Sequence, residues 1–169
     1  MISEAEDVIL SRFGIPQIEG VNGEDLKLIT NAEKINGTKE KGYHCKDGTF
    51  KFCLAKQVDD NIEPILSMEF YKALGSRMLT LLNEKPYIRL NLLFVHVDIL
   101  RKKGIATYYM EKLVQYAKDE GFTRIKILPN PDAVNFKKVK KDNALNKKQL
   151  ISFYKKFEDD HLKIDIIQI

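Results

Sequence analysis

The sequence predicts an α/β domain built on a mixed sheet. Three observations carry that reading. The first is a strand hairpin signalled by Asp47-Gly48 between two alternating apolar arms. The second is a nearly continuous apolar segment over 88–99, the mark of a strand covered on both faces. The third is the succession of a glycine turn, an amphipathic helix and a further short strand directly after that segment. The 169 residues suffice for one such domain with a substantial core, and they contain no repeat, low-complexity linker or compositional break. The whole span 1–169 therefore reads as a single domain.

Along the chain, Ser3 and Glu6 fit a capping box ahead of Val8, Ile9 and Leu10, which predicts a helix over about 3–13. FGIPQIEGVNGED is turn-rich and reads as a loop. LKLIT (26–30) is a strand, and KINGTKEKG is polar and reads as a loop. In YHCKDGTFKFCLAKQV, Phe50, Phe52 and Leu54 alternate with Lys51, Cys53 and Ala55, which suits a strand with one face in the core. EPILSMEFYKAL reads as another strand, with helix as the alternative. There Ile65, Ser67, Glu69 and Tyr71 share one face and Leu66, Met68 and Phe70 the other. SRMLTLLNEKP is ambiguous. Ile105, Tyr109, Leu113, Tyr116 and Ala117 fall on one helical face, and Gly121 ends that helix. TRIKIL (123–128) is a strand, the polar and basic stretch after it a loop, NKKQLISFYKKFED a helix and LKIDIIQI a closing strand.

Composition narrows the function classes. No apolar run reaches the roughly 18–20 residues that span a bilayer. The acidic start, MISEAEDVIL, resembles neither a signal nor a transit peptide, so a cytoplasmic location and no membrane partner are expected. Cys45 and Cys53 make a poor disulfide framework and too few soft ligands for a structural zinc site. They read as reduced thiols, and no metal is expected. Lysines concentrate between Arg101 and Lys156, while the first hundred residues lean acidic. A basic half suggests an anionic partner: a nucleotide, a nucleic acid or solvent alone.

The stretch RKKGIAT (101–107) sits between the apolar strand and the amphipathic helix. Strand, glycine turn and helix together present backbone N–H groups to an anion. The first N–H groups of a helix lack intrahelical partners, and its dipole adds roughly half a positive charge there. Gly104 lets a ligand approach without a Cβ in the way, Ala106 is nearly as small, and Thr107 adds a hydroxyl. Arg101, Lys102 and Lys103 lie at the helix end where the dipole disfavours cations, which an anion would explain. Ordinary turn chemistry is the competing reading. The sequence has no GxGxxG or GxxxxGK[ST] loop, no HExxH and no GxSxG.

Arg-Lys-Lys-Gly-Ile-Ala resembles the [RQ]-x-x-G-x-[GA] loop of the GNAT superfamily of N-acetyltransferases, with FVHVDIL before it and ATYYMEKLVQYAKDEGF after it. LISFYKK is similar to the family's later helix, which usually carries a tyrosine. The matching parts cover about 88–128 and 146–157. The resemblance implies the acyl-CoA N-acyltransferase fold, a mixed and mostly antiparallel sheet flanked by helices. It implies acetyl-CoA as cosubstrate and direct attack of a primary amine on the thioester.

By that resemblance, the backbone of Val95, His96 and Val97 would pair with the pantetheine arm. The pyrophosphate would sit on N–H groups of Lys102, Lys103, Gly104, Ile105, Ala106 and Thr107, with Arg101 adding charge. Asn146 lies near the spacing of a family asparagine that contacts CoA, with Asn130, Asn135 and Asn143 as competitors. Tyr154 matches the tyrosine that protonates the departing thiolate; a core tyrosine is the alternative. Glu69, His96 and Asp98 are candidate bases, each with a plainer role as a surface, packed or turn-capping residue. The lysine-rich segment 137–148 could meet the 3′-phosphate of CoA, an acidic substrate or RNA, or be only a solvated loop. FEDD departs from the Gly-Phe that commonly ends the tyrosine helix, and the two early helices that often shape the acceptor site are not obvious. Small amines, antibiotics, peptide N-termini and aminoacyl-tRNA are all compatible acceptors, and a homodimer stays open. The competing functions are a nucleic-acid-binding module and a regulatory module that binds CoA without transfer.

Overall fold

The computed structural model describes residues 2–75, 77–129 and 146–167. An eight-stranded sheet runs through the chain, mostly antiparallel and flanked by helices. The strands are β1 (Leu26–Ile29), β2 (Asn31–Lys34), β3 (Lys41–Lys46), β4 (Thr49–Val58), β5 (Asn61–Ala73), β6 (Tyr87–Val95), β7 (Arg124–Ile127) and β8 (Lys163–Ile166). The order is β2-β3-β4-β5-β6-β7-β8, with β1 pairing the far half of β4. All pairs are antiparallel up to β6; β6–β7 and β7–β8 are parallel. Helices α1 (Glu4–Val8), α2 (Arg77–Leu81), α3 (Ile105–Asp119) and α4 (Lys147–Lys155) complete the fold.

Local chemistry explains the borders. The Ser3 hydroxyl accepts from the Glu6 N–H (3.1 Å) and starts α1. A π-helical turn, Ile9–Phe13, continues it and stops at Gly14, whose φ is 66°. Asp47 and Gly48 take φ of 53° and 83°, the left-handed pair that a two-residue hairpin between β3 and β4 requires. EPILSMEFYKAL is strand, not helix, because its alternation gives β5 two distinct faces. The polar NAEK forms β2, which the sequence pattern does not reveal because that strand is mostly exposed. The segment 88–99 is strand only to Val95 and then tightens into a 3-10 turn, Asp98–Leu100. The lysine-rich stretch 130–145, with Lys137, Lys138, Lys140, Lys141 and Phe136, and the competing Asn130, Asn135 and Asn143, lies outside the described residues.

The two sheet faces differ. On one, Phe50, Phe52, Leu54, Leu66, Met68, Phe70, Ile88 and Leu90 meet Phe13 and the buried face of α3: Ile105, Tyr109, Met110, Leu113, Tyr116 and Ala117. Phe50 stacks on Phe70 at 4.6 Å and Phe13 on Phe70 at 5.4 Å. On the other, Cys53, Ala55 and Tyr43 form a smaller cluster with Ile35. Cys45 belongs to the large cluster and Cys53 to the small one; both thiols are free and buried. No helix of the described residues is long and apolar enough to cross a membrane.

A bulge in β6 sets the geometry of the site. The β5–β6 register passes from Phe70↔Leu90 to Glu69↔Leu92, so Asn91 has no partner across the ladder. One extra residue inverts the facing of everything beyond it. Leu93 and Val95 thereby pack on the large core, although Ile88 and Leu90 before them do the same from even positions. Leu92, Phe94 and His96 turn to the polar face, opposite Glu69 and Ser67 on β5.

Candidate active site

β7 pairs with β6 only from Ile88 to Leu90 and ends at Ile127. Beyond Leu90 the β7-facing edge of β6 has no strand partner among the described residues. The backbone N–H of His96 is bonded to the Ile65 carbonyl on β5 (2.7 Å). Alternation therefore turns the N–H and C=O of Val95 toward the open edge. The Val95 carbonyl there accepts from Arg101 Nε (2.9 Å). Of the three residues expected to offer backbone to a ligand, His96 spends its N–H within the sheet.

The RKKGIAT turn has an unusual backbone. Lys102 has φ 63° and Gly104 φ 87°, two left-handed positions separated by Lys103. Alternating handedness folds successive N–H groups into a concave nest with a preference for anions. Gly104 is the N-cap of α3, and no side chain caps the helix there. A Cβ on Gly104 would meet no atom within 4 Å, so the position is open on its outer side. Lys102 and Lys103 are exposed, Ala106 and Thr107 half-buried, and the Ile105 side chain is in the core. Arg101 differs from its lysine neighbours. It is 7% exposed, and its guanidinium lies 5.2 Å over the Phe94 ring. Its role is to tie the turn to the end of β6. The Asp98 carboxylate accepts from the Ile99 N–H (2.9 Å) within the 3-10 turn, whose N-cap, Val97, has no side-chain cap.

On the polar face a chain of hydroxyls leads to His96. The Tyr43 hydroxyl lies 2.9 Å from Ser67 Oγ, and Ser67 Oγ lies 2.7 Å from His96 Nε2. Tyr43 and Ser67 are fully buried and His96 half-buried. The imidazole packs edge-on against Phe94 at 5.1 Å. Burial, helped by the positive charge of Arg101 and opposed by Glu40, pushes the His96 pKa down to about 4, so the ring is neutral at pH 7. Glu69 is on the same face, two residues from Ser67. It lies 3.6 Å from Lys51 Nζ, which also bonds Glu40 at 2.7 Å. Lys51 is thus shared by two carboxylates, and Glu69 is not an isolated acid.

Tyr154 lies on α4, 5% exposed, edge-on to Phe153 at 5.2 Å. Burial raises its pKa, which keeps the phenol protonated. Asn146 is the N-cap of α4. Its side chain accepts from the Gln149 N–H (2.8 Å), and Gln149 Oε1 accepts in return from the Asn146 N–H (2.9 Å). The structure thus gathers Val95, His96, Arg101 and the turn at one end of β6, with Glu69 beside them on β5. Asn146 is committed to capping α4. Ser67 and Tyr43 were not singled out from the sequence. The available signal was a serine on the face shared by Ile65, Glu69 and Tyr71 in an otherwise apolar strand. Among the described residues no cluster of three or more His, Cys, Asp or Glu side chains could hold a metal ion.

Among solved structures, the chain resembles a ribosomal-protein-alanine N-acetyltransferase from Brucella melitensis biovar Abortus 2308, with 18% identity and a TM-score of 0.37. The likeness covers 54% of this chain and 62% of that one, so less than two thirds of that protein's length. No curated protein matches the chain. Residues 49–139, more than half of the 169, match the acetyltransferase (GNAT) family, and the chain belongs to that family.

Proposed function

We propose that this GNAT-family chain is an acetyl-CoA-dependent N-acetyltransferase whose acceptor is a primary amine. One observation carries the reading: an uncapped helix preceded by left-handed Lys102 and Gly104, beside the open edge of β6. The turn fits a diphosphate, since it offers unpaired N–H groups, two exposed lysines and no Cβ at Gly104. The bound thioester supplies an activated acetyl group. The protein supplies positioning. Backbone of Lys102 to Thr107 holds the phosphates, and the edge at Val95 and Val97 orients the arm that carries the thioester. The amine attacks the acetyl carbon directly, with no covalent enzyme intermediate. Tyr154, kept protonated by burial, is the candidate donor to the departing thiolate. His96 is neutral at pH 7 and is the candidate acceptor for the amine's proton.

Calorimetric titration with acetyl-CoA tests the reading. Gly104→Glu puts a carboxylate into the nest and a side chain at φ 87°, and should weaken binding about 100-fold or more. Gly104→Asn tolerates that φ and is neutral, so it separates backbone strain from charge. Equal affinity of wild type and Gly104→Glu would remove the turn as the phosphate site.

A further inference from the structure

We infer that Arg101 is a specificity-determining gate on the open edge of β6: its guanidinium holds the Val95 carbonyl, and the arm of the cosubstrate pairs with that carbonyl only by displacing Arg101. The inference rests on the acetyltransferase reading and names a step that binding has to include. Three observations carry it. The His96 N–H is spent on the Ile65 carbonyl of β5 (2.7 Å), so Val95 turns its own carbonyl to the opposite edge, which has no strand partner among the described residues. Arg101 Nε donates to that carbonyl at 2.9 Å, the separation at which the N–H of a neighbouring strand would stand. The side chain is seated there and not merely passing: Arg101 is 7% exposed, and its guanidinium lies 5.2 Å over the Phe94 ring.

The local backbone explains the placement. β6 ends at Val95, and the 3-10 turn Asp98–Leu100 folds the chain back, so Arg101 meets the end of the strand it has just left. The same turn commits the Val97 carbonyl, which accepts from the Leu100 N–H (3.0 Å). The two carbonyls therefore differ. That of Val97 is released only by opening the turn, whereas that of Val95 is released by moving one side chain. An incoming amide N–H replaces the Arg101 Nε–H at Val95, so the arm gains only the difference between two hydrogen bonds. Closed Arg101 thus lowers the apparent affinity for any ligand that needs this carbonyl. A nucleotide without the arm fills the turn and leaves Arg101 where it is.

Two ligands separate the gate from a plain structural tie: acetyl-CoA, and adenosine 3′-phosphate 5′-diphosphate, its nucleotide half without the arm. Calorimetry gives the ratio of their affinities, which reports the arm alone, since both carry the same phosphates. Arg101→Met keeps an apolar stem for Phe94 and removes the donor. That ratio should rise about tenfold in favour of acetyl-CoA in the variant, even if the lost charge weakens both ligands. A ratio that stays the same or falls would show that Arg101 only ties the turn. A second measurement needs no variant. Proton–nitrogen NMR of wild type should show a slowly exchanging Arg101 Nε–H that persists with the nucleotide half and moves to fast exchange with acetyl-CoA. An Nε–H that is already in fast exchange in the free protein, or stays protected at saturation with acetyl-CoA, would overturn this inference alone. A wild type that binds no acetyl-CoA would overturn the acetyltransferase reading and, with it, the gate.

Discussion

The two faces of the central strands are built from different physics. The face under α1 and α3 is aromatic and dry: Phe13, Phe50, Phe52, Phe70 and Tyr116 lie within 6.0 Å of one another in successive pairs. The opposite face carries Tyr43, Ser67 and His96 in one hydrogen-bonded chain and Glu40, Lys51 and Glu69 in an ion-paired group, with Lys51 Nζ 5.5 Å over the Tyr43 ring. Burial area stabilises the first and depends little on pH or salt. The second is stable only while its donors and acceptors stay matched, and its protonation state is part of its structure. The main core and the candidate site therefore lie on opposite sides of the same strands, and β5 carries both on alternating residues.

The largest way to separate the faces is to open the aromatic one. Phe70 is fully buried and touches Phe13, Phe50 and Tyr116. Phe70→Ala should lower the unfolding free energy by about 3–5 kcal/mol in urea titration, with little dependence on pH between 5 and 8. A loss under about 1 kcal/mol would mean that this face is not the main source of stability.

His96 gives the corresponding test on the polar face. Its folded pKa of about 4 lies below the ordinary value of 6.5, so the unfolded chain binds the proton more readily. Stability from this group is complete above 6.5, falls as pH drops through that window and is fully lost below about 4. The shift corresponds to at most about 3 kcal/mol. His96→Gln removes it, so the stability difference between wild type and variant should shrink or invert as pH falls from 7 to 4. A difference independent of pH would show that His96 is not held neutral by the fold.

This contrast also explains what the sequence made legible. The aromatic face was readable: alternation at Phe50, Phe52 and Leu54 and the helical spacing of Ile105, Tyr109, Leu113 and Tyr116 depend on local periodicity, and the structure follows them. The glycine turn was readable because Gly104 and its basic neighbours are adjacent in sequence. The polar face was not. Tyr43, Ser67 and His96 come from three separate stretches of chain and meet only through the register, which a bulge at Asn91 resets. An apolar run such as LNLLFV shows no sign of a bulge, since either facing is apolar. Arg101, expected to add charge to the turn with Lys102 and Lys103, is instead folded back by the tight turn onto Phe94 and the Val95 carbonyl. Chemistry that depends on pairing across strands leaves little trace in linear spacing.

The smallest expected effect lies where the aromatic face borrows a polar device. The Tyr108 hydroxyl donates to the Phe13 carbonyl (2.6 Å), and Tyr109 donates to the Gly14 carbonyl (2.9 Å). These carbonyls end the π-helical turn, where Gly14 with φ 66° leaves the chain without further helical bonds. The two tyrosines thus fasten the N-terminal helical segment to α3 by satisfying its last acceptors. Tyr108 is half-buried, so water can replace its hydroxyl; fully buried Tyr109 has no such substitute. Tyr108→Phe should therefore destabilise the protein by about 1 kcal/mol, and Tyr109→Phe by about 2 kcal/mol, in urea titration. Neither variant should alter the pH dependence of stability set by His96, since both hydroxyls act on the far side of the sheet. Equal losses in the two variants would show that burial does not set the worth of this fastening, and a changed pH dependence between 7 and 4 would show that the two faces are coupled.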